Sequence, residues 1–103
     1  MKTATEFIEF FEAIPEEKWT TGTFKKGDQC CAEGHLRQRR TRYRHNIERL
    51  EKLLRPVCSA TTELSAVVFI NDGLDLRFPQ PTPKQRILAA LREIQAKEQQ
   101  ASI

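Results

Sequence analysis

The chain lacks any long apolar stretch. Its longest apolar runs, Ala66 to Ile70 among them, hold five residues, far short of the roughly 18 that a membrane-spanning helix needs. Behind Lys2 the apolar residues are interrupted by Glu6, Glu9 and Glu12, so a secretory signal is not expected there. Cysteine is scarce and odd in number: Cys30, Cys31 and Cys58. Adjacent cysteines rarely bond to each other because the ring they close is strained. All three are therefore read as thiols in a reducing, cytoplasmic compartment. No Cys-x-x-Cys or His-x-x-x-His spacing organises Cys30, Cys31, Cys58, His35 and His45, so no metal is expected. The chain also lacks a phosphate-cradling glycine loop, a dinucleotide fingerprint, a paired acidic metal site and a Gly-x-Ser-x-Gly elbow. No cofactor is expected on that account.

What is present suits one small domain. Of 103 residues, 39% are hydrophobic and 30% charged, too apolar for a disordered chain and enough for one modest core. Residues 1–103 are read as a single globular domain whose last residues, 98–103, fray. Charge is unevenly placed. Residues 1–17 carry a net −4, residues 18–56 a net +7, and residues 57–103 balance. The middle is a basic segment between an acidic start and a neutral end.

Periodicity places the elements. Thr3 to Ile14 has Phe7, Phe10, Phe11 and Ile14 at helical spacing, with Thr3 and Glu6 as a capping box. Pro15 closes that helix. Trp19 is expected to plug the edge of the core, and Gly22 and Gly27 to supply turns. Asp28 is expected to cap a helix that begins at Gln29 or Cys30. Gly34 in that helix costs about 1 kcal/mol against Ala, which points to another backbone passing close. Thr41 to Arg55 is a second helix, striped by Tyr43, Ile47, Leu50 and Leu54, and separated from the first by a break. Ala66 to Ile70 is rich in β-formers. Asn71-Asp72-Gly73 follows as a turn, and Leu74, Leu76 and Phe78 then alternate with Asp75 and Arg77, which predicts a hairpin. Thr82 to Lys97 is a helix with a Thr82 cap and Pro83 at its first position. The expected fold is α+β and mainly α, with about four helices and a short β-hairpin or single strand packed on them.

Four stretches carry a resemblance. Trp19-Thr20-Thr21-Gly22, Cys31-Ala32-Glu33-Gly34-His35-Leu36, Ile70-Asn71-Asp72-Gly73, and Thr82-Pro83-Lys84 with Arg86-Ile87-Leu88 resemble, in order and approximate spacing, a family of small bacterial and phage proteins. That family's pattern has a small residue where this chain has His35, and it supplies no activity to transfer.

The residues themselves suggest three functions. Arg37, Arg39, Arg40, Arg42 and Arg44 form a concentrated positive field that would let a binding module, rather than an enzyme, engage an anionic partner, nucleic acid or acidic protein. Alternatively, Cys31 (or Cys30) is a nucleophile, with a thiolate favoured at a helix start, His35 as base and Asp72 as orienter of a hydrolase or transferase. In the third reading these residues only build an interaction domain, which could be a homodimer.

Overall fold

The computed structural model describes residues 1–61 and 63–101. Among these residues the fold is α+β and mainly α, with five α-helices and one two-stranded antiparallel hairpin. In chain order the elements are α1 (Ala4–Glu12), β1 (Lys25–Lys26), β2 (Gln29–Cys30), α2 (Ala32–Gln38), α3 (Tyr43–Leu54), α4 (Ala66–Asn71) and α5 (Pro83–Ala101). Two 3-10 turns, Glu16–Lys18 and Arg55–Val57, bridge gaps. No described helix is long and apolar enough to cross a membrane.

The long pair α1 and α5 forms one side of the core. Thr3 caps α1 as expected: its hydroxyl accepts from Glu6 N, and the Glu6 carboxylate takes the Thr3 N–H. Phe7 and Phe11 then bury in the same core as Ile87 and Leu91 of α5. Burying side chains of this size contributes about 1.5–3 kcal/mol each. At the rim Arg92 pairs with Glu12, and Gln95 donates to the Thr5 hydroxyl at 3.0 Å. The last helix continues past Lys97 to Ala101. Within it Glu98 accepts the Ala4 N–H at 3.2 Å; Ser102 and Ile103, the end of the segment expected to fray, lie outside the described residues.

The hairpin is real but sits elsewhere. Ala66–Asn71 is a helix, not a strand, and both its ends are satisfied from a distance. Ser65 Oγ accepts from Val68 N, while the Glu51 carboxylate on α3 accepts Ala66 N at 2.7 Å and Val67 N at 3.1 Å. At the other end Arg86 donates from α5 to the carbonyls of Ile70 and Asn71. Such tertiary capping overrides the β-propensity of Val67, Val68 and Ile70. Asn71-Asp72-Gly73 is thus a helix stop. Gly73 takes φ +76°, Gly73 N donates to Ile70 O, and Leu74 N donates to Phe69 O, the paired bonds of a Schellman ending.

The segment after it departs from the alternation expected of a strand at residues 74–76, while Phe78 stays buried and Arg77 exposed. Leu74 and Leu76 face solvent, Leu76 at 91% exposure, whereas Asp75 is 1% exposed. The Asp75 carboxylate accepts from Ser59 N, Ser59 Oγ and Arg77 N, which fixes this loop to the chain just after the Arg55–Val57 turn. Those hydrogen bonds hold its ionised form and keep its pKa low against the opposing effect of burial.

The actual hairpin pairs Lys25 with Cys30 and Lys26 with Gln29. Asp28 occupies its turn and pairs with Lys18 at 2.7 Å, so it does not cap α2. Cys31 does: its sulfur accepts from Gly34 N at 3.4 Å. The predicted break between α2 and α3 is present, made by Arg40 at φ 64° and Arg42 at φ 52°.

Candidate functional site

The four stretches singled out in the sequence meet at one junction. Thr20 N donates to Cys30 O at 3.0 Å. Asn71 is fully buried there. Its Oδ1 accepts Ala32 N at 3.0 Å, and its Nδ2 donates to Thr20 O at 3.1 Å and Asp72 Oδ1 at 2.9 Å. Asp72 Oδ1 also accepts Gly22 N at 3.2 Å. Behind them Arg86 fixes the carbonyl end of α4 and reaches Gln80 O at 2.9 Å. One side-chain amide therefore ties α4, the start of α2 and the 19–22 loop together, with every polar atom answered as a buried amide requires.

This junction borders a cavity of about 340 Å³. Gly22, Thr23 and Phe24 line it from the loop, and Val67 and Val68 from α4. Cys31, Asn71 and Asp72 complete the lining. Gly34 lets the loop come this close. A Cβ there would stand 2.0 Å from the Phe24 carbonyl oxygen, which confirms the backbone approach that Gly34 suggested.

The proposed catalytic residues divide between two cavities. Cys31 and Asp72 share the one just described. His35 lines a different one, with Cys30, Lys18 and Lys25. The His35 ring packs on Trp19 with centroids 4.8 Å apart, and its Nε2 is buried without a hydrogen-bond partner. The structure thus brings the Cys31 thiol and the Asp72 carboxylate to one cavity, and the imidazole with the alternative nucleophile Cys30 to another.

Burial works against the expected thiolate. Burial pushes the Cys31 thiol up from its ordinary value, outweighing the Gly34 and Glu33 N–H groups that favour the anion. Burial likewise pushes Cys30 up. The consequence is that Cys31 should react with iodoacetamide at pH 7 well below the rate of a free thiol in the unfolded chain. Mass-spectrometric timing of alkylation checks this, and rapid labelling of the folded protein would contradict it. All three cysteines are free, and no group of three or more His, Cys, Asp or Glu among the described residues is placed to hold a metal.

His35 carries a pH signature. Burial lowers its pKa, against smaller opposing effects from the Lys18 and Cys30 main chain. A histidine that resists protonation in the folded state but not in the unfolded one stabilises fully above its unfolded value of about 6.5. That contribution is lost as pH falls from there toward the lowered folded value. Thermal midpoints should therefore drop on acidification below pH about 6.5, and His35→Gln should flatten the curve over the same interval. An unchanged curve in the variant would remove His35 as the cause.

The arginine segment occupies the corner between α2 and α3. Arg37, Arg39, Arg40, Arg42 and Arg44 are all exposed. Arg37 lies 3.7 Å from Glu33 and covers the Phe24 ring at 4.3 Å. Arg39 lies 5.5 Å over Phe10 and Arg44 5.8 Å from Tyr43. Among the described residues, Arg39, Arg40, Arg42 and Arg44 pair with no carboxylate. Of the glutamates on the first helix, Glu12 turns to Arg92 and Glu6 to its own cap. Phe24, which joins this surface to the cavity, was not visible as a site residue; only its place between two glycines hinted at an exposed loop.

No known protein family, curated protein or solved structure matches this chain.

Proposed function

We propose that the chain is a binding module that engages an anionic macromolecule, nucleic acid or acidic protein, through Arg37, Arg39, Arg40, Arg42 and Arg44. The observation that carries this reading is the cluster of four exposed arginines without a carboxylate partner among the described residues. Like charges this close repel, so a solvated surface alone gains nothing from collecting them. Guanidinium forks suit phosphate and carboxylate alike. Two of the arginines also hold left-handed backbone, Arg40 at φ 64° and Arg42 at φ 52°. For a non-glycine residue this costs about 1–2 kcal/mol, and such strain concentrates at functional segments.

The test is the triple variant Arg39→Glu, Arg40→Glu, Arg42→Glu. Glutamate meets the same backbone strain as arginine, so the melting curve should hold nearly constant. Fluorescence anisotropy with a single-stranded oligonucleotide and with polyglutamate should show at least a tenfold loss of affinity for whichever probe binds, with tighter binding at low salt in the parent protein. Equal binding by parent and variant would set this surface aside.

A further inference from the structure

We propose that the cavity between the 22–24 loop and α4 seats one unstacked base of a single-stranded nucleic acid whose backbone lies on Arg37. This inference rests on the anionic-partner reading and chooses one partner within it. Three observations support the choice.

The first is continuity. Phe24 lines the cavity and is 45% exposed. The same ring lies 4.3 Å beneath the Arg37 guanidinium. A cation for phosphate, which also lies 3.7 Å from Glu33, therefore stands over the aromatic ring that lines the cavity, the pairing that single-strand binders use. The second is size and lining. The cavity of about 340 Å³ falls within the roughly 300–1,000 Å³ span of small-ligand sites, and Val67 and Val68 give it an apolar wall against which a base's face can pack.

The third is the polar group inside. Asp72 Oδ1 already accepts Gly22 N and Asn71 Nδ2, whereas Asp72 Oδ2 carries no hydrogen bond among the described residues. A carboxylate accepts and does not donate. The amino groups of adenine and cytosine, with their N–H donors, suit it. Thymine offers one ring N–H flanked by two carbonyl oxygens, which meet the carboxylate unfavourably. An acidic peptide would bring like charge to the same place. The carboxylate thus favours nucleic acid over acidic protein as the occupant.

Labelled oligo-dA, oligo-dC and oligo-dT provide the test, by anisotropy at matched salt. The parent protein should bind oligo-dA and oligo-dC about tenfold more tightly than oligo-dT, the effect expected of one hydrogen bond to a charged group. Val68→Trp, which fills the cavity from its exposed rim, should erase that preference and weaken binding to oligo-dA and oligo-dC while leaving the salt dependence in place. Phe24→Ala should weaken binding about tenfold for each oligonucleotide by removing the stacking platform. Both side chains are exposed, and melting curves confirm that the variants fold. If Val68→Trp binds like the parent, or the parent shows no base preference, the cavity is not a base site and the arginine surface stands alone. Binding of polyglutamate without any oligonucleotide overturns the base site and leaves an acidic partner for the arginines. Binding of neither probe overturns the anionic-partner reading itself.

Discussion

Gly34→Ala should destabilise the protein by about 3 kcal/mol, at the upper end of what overpacking costs. Alanine is normally the better helix residue by about 1 kcal/mol, so the substitution would stabilise α2 were its surface open. It is closed by main chain. The added Cβ would stand 2.0 Å from Phe24 O, 3.0 Å from Phe24 C and 3.1 Å from Cys30 Cβ. A carbonyl cannot swing aside as a long side chain would. The Phe24 carbonyl also accepts Cys31 N at 3.3 Å, so relieving the collision breaks the bond that sets the loop on α2. The melting temperature should fall by about 10–20 °C for a domain of this size. Gly22→Ala is the contrast. Its φ of +77° makes the change strained, but no atom lies within 4 Å of the new Cβ, so the expected cost is about 1 kcal/mol. Equal stability of the Gly34→Ala variant and the parent would show that the loop does not approach α2 as described.

Asn71→Ala should cost about 3 kcal/mol or more. The side chain fills a fully buried position and makes three hydrogen bonds. Its removal leaves the Ala32 N–H unanswered in the interior, at about 1–3 kcal/mol for such a group, adds a small cavity, and frees Thr20 O. Asn71→Asp is informative in a different way. It keeps the acceptor for Ala32 N, but it replaces the donor to Thr20 O and sets a second carboxylate against Asp72. Its loss of stability should match that of Asn71→Ala and diminish as pH falls toward the carboxylate range. Urea unfolding read by Trp19 fluorescence measures both variants, and a loss under about 1 kcal/mol in Asn71→Ala would mean that the junction does not depend on this amide.

Much of this architecture was legible because local chemistry and tertiary packing agree there. Thr3 with Glu6 and Thr82 with Pro83 are helix starts whose capping groups lie within the helix's own first turn. The stripe from Ile47 to Leu54 faces the core at the spacing a helix imposes. Gly34 could be read as a close approach because glycine inside a helix is costly without one.

The failures have a common physical cause, which is information held far away in the chain. Ala66 to Ile70 has the composition of a strand, and besides the local Ser65 cap it is Glu51 and Arg86, 15 and 16 residues away from their partners Ala66 and Ile70, that hold it as a helix. A glycine with positive φ serves both a hairpin turn and a helix stop, so Asn71-Asp72-Gly73 fits either. Asp75 was assigned to solvent by its charge, yet the Ser59 N–H and hydroxyl bring it inside. Asp28 and Cys31 are both able to cap a helix. The turn of the hairpin holds Asp28, and the Cys31 sulfur takes the cap that Asp28 was expected to supply. Of the proposed catalytic set, Cys31 and Asp72 line one cavity. The direction of His35 was not readable, because Cys31 and His35 are four apart on α2 while the Trp19 ring that receives the imidazole comes from another part of the chain.

The most direct measurement of the central claim is the salt dependence of oligonucleotide binding by the unaltered protein. Each phosphate neutralised on a single strand contributes about −0.7 to the slope of log K against log salt. Engagement of all five arginines predicts a slope of about −3.5, reduced to near −1.4 when Arg39, Arg40 and Arg42 become glutamate. A slope near zero in the parent protein, or one that the three substitutions leave unaltered, would contradict the assignment of this surface.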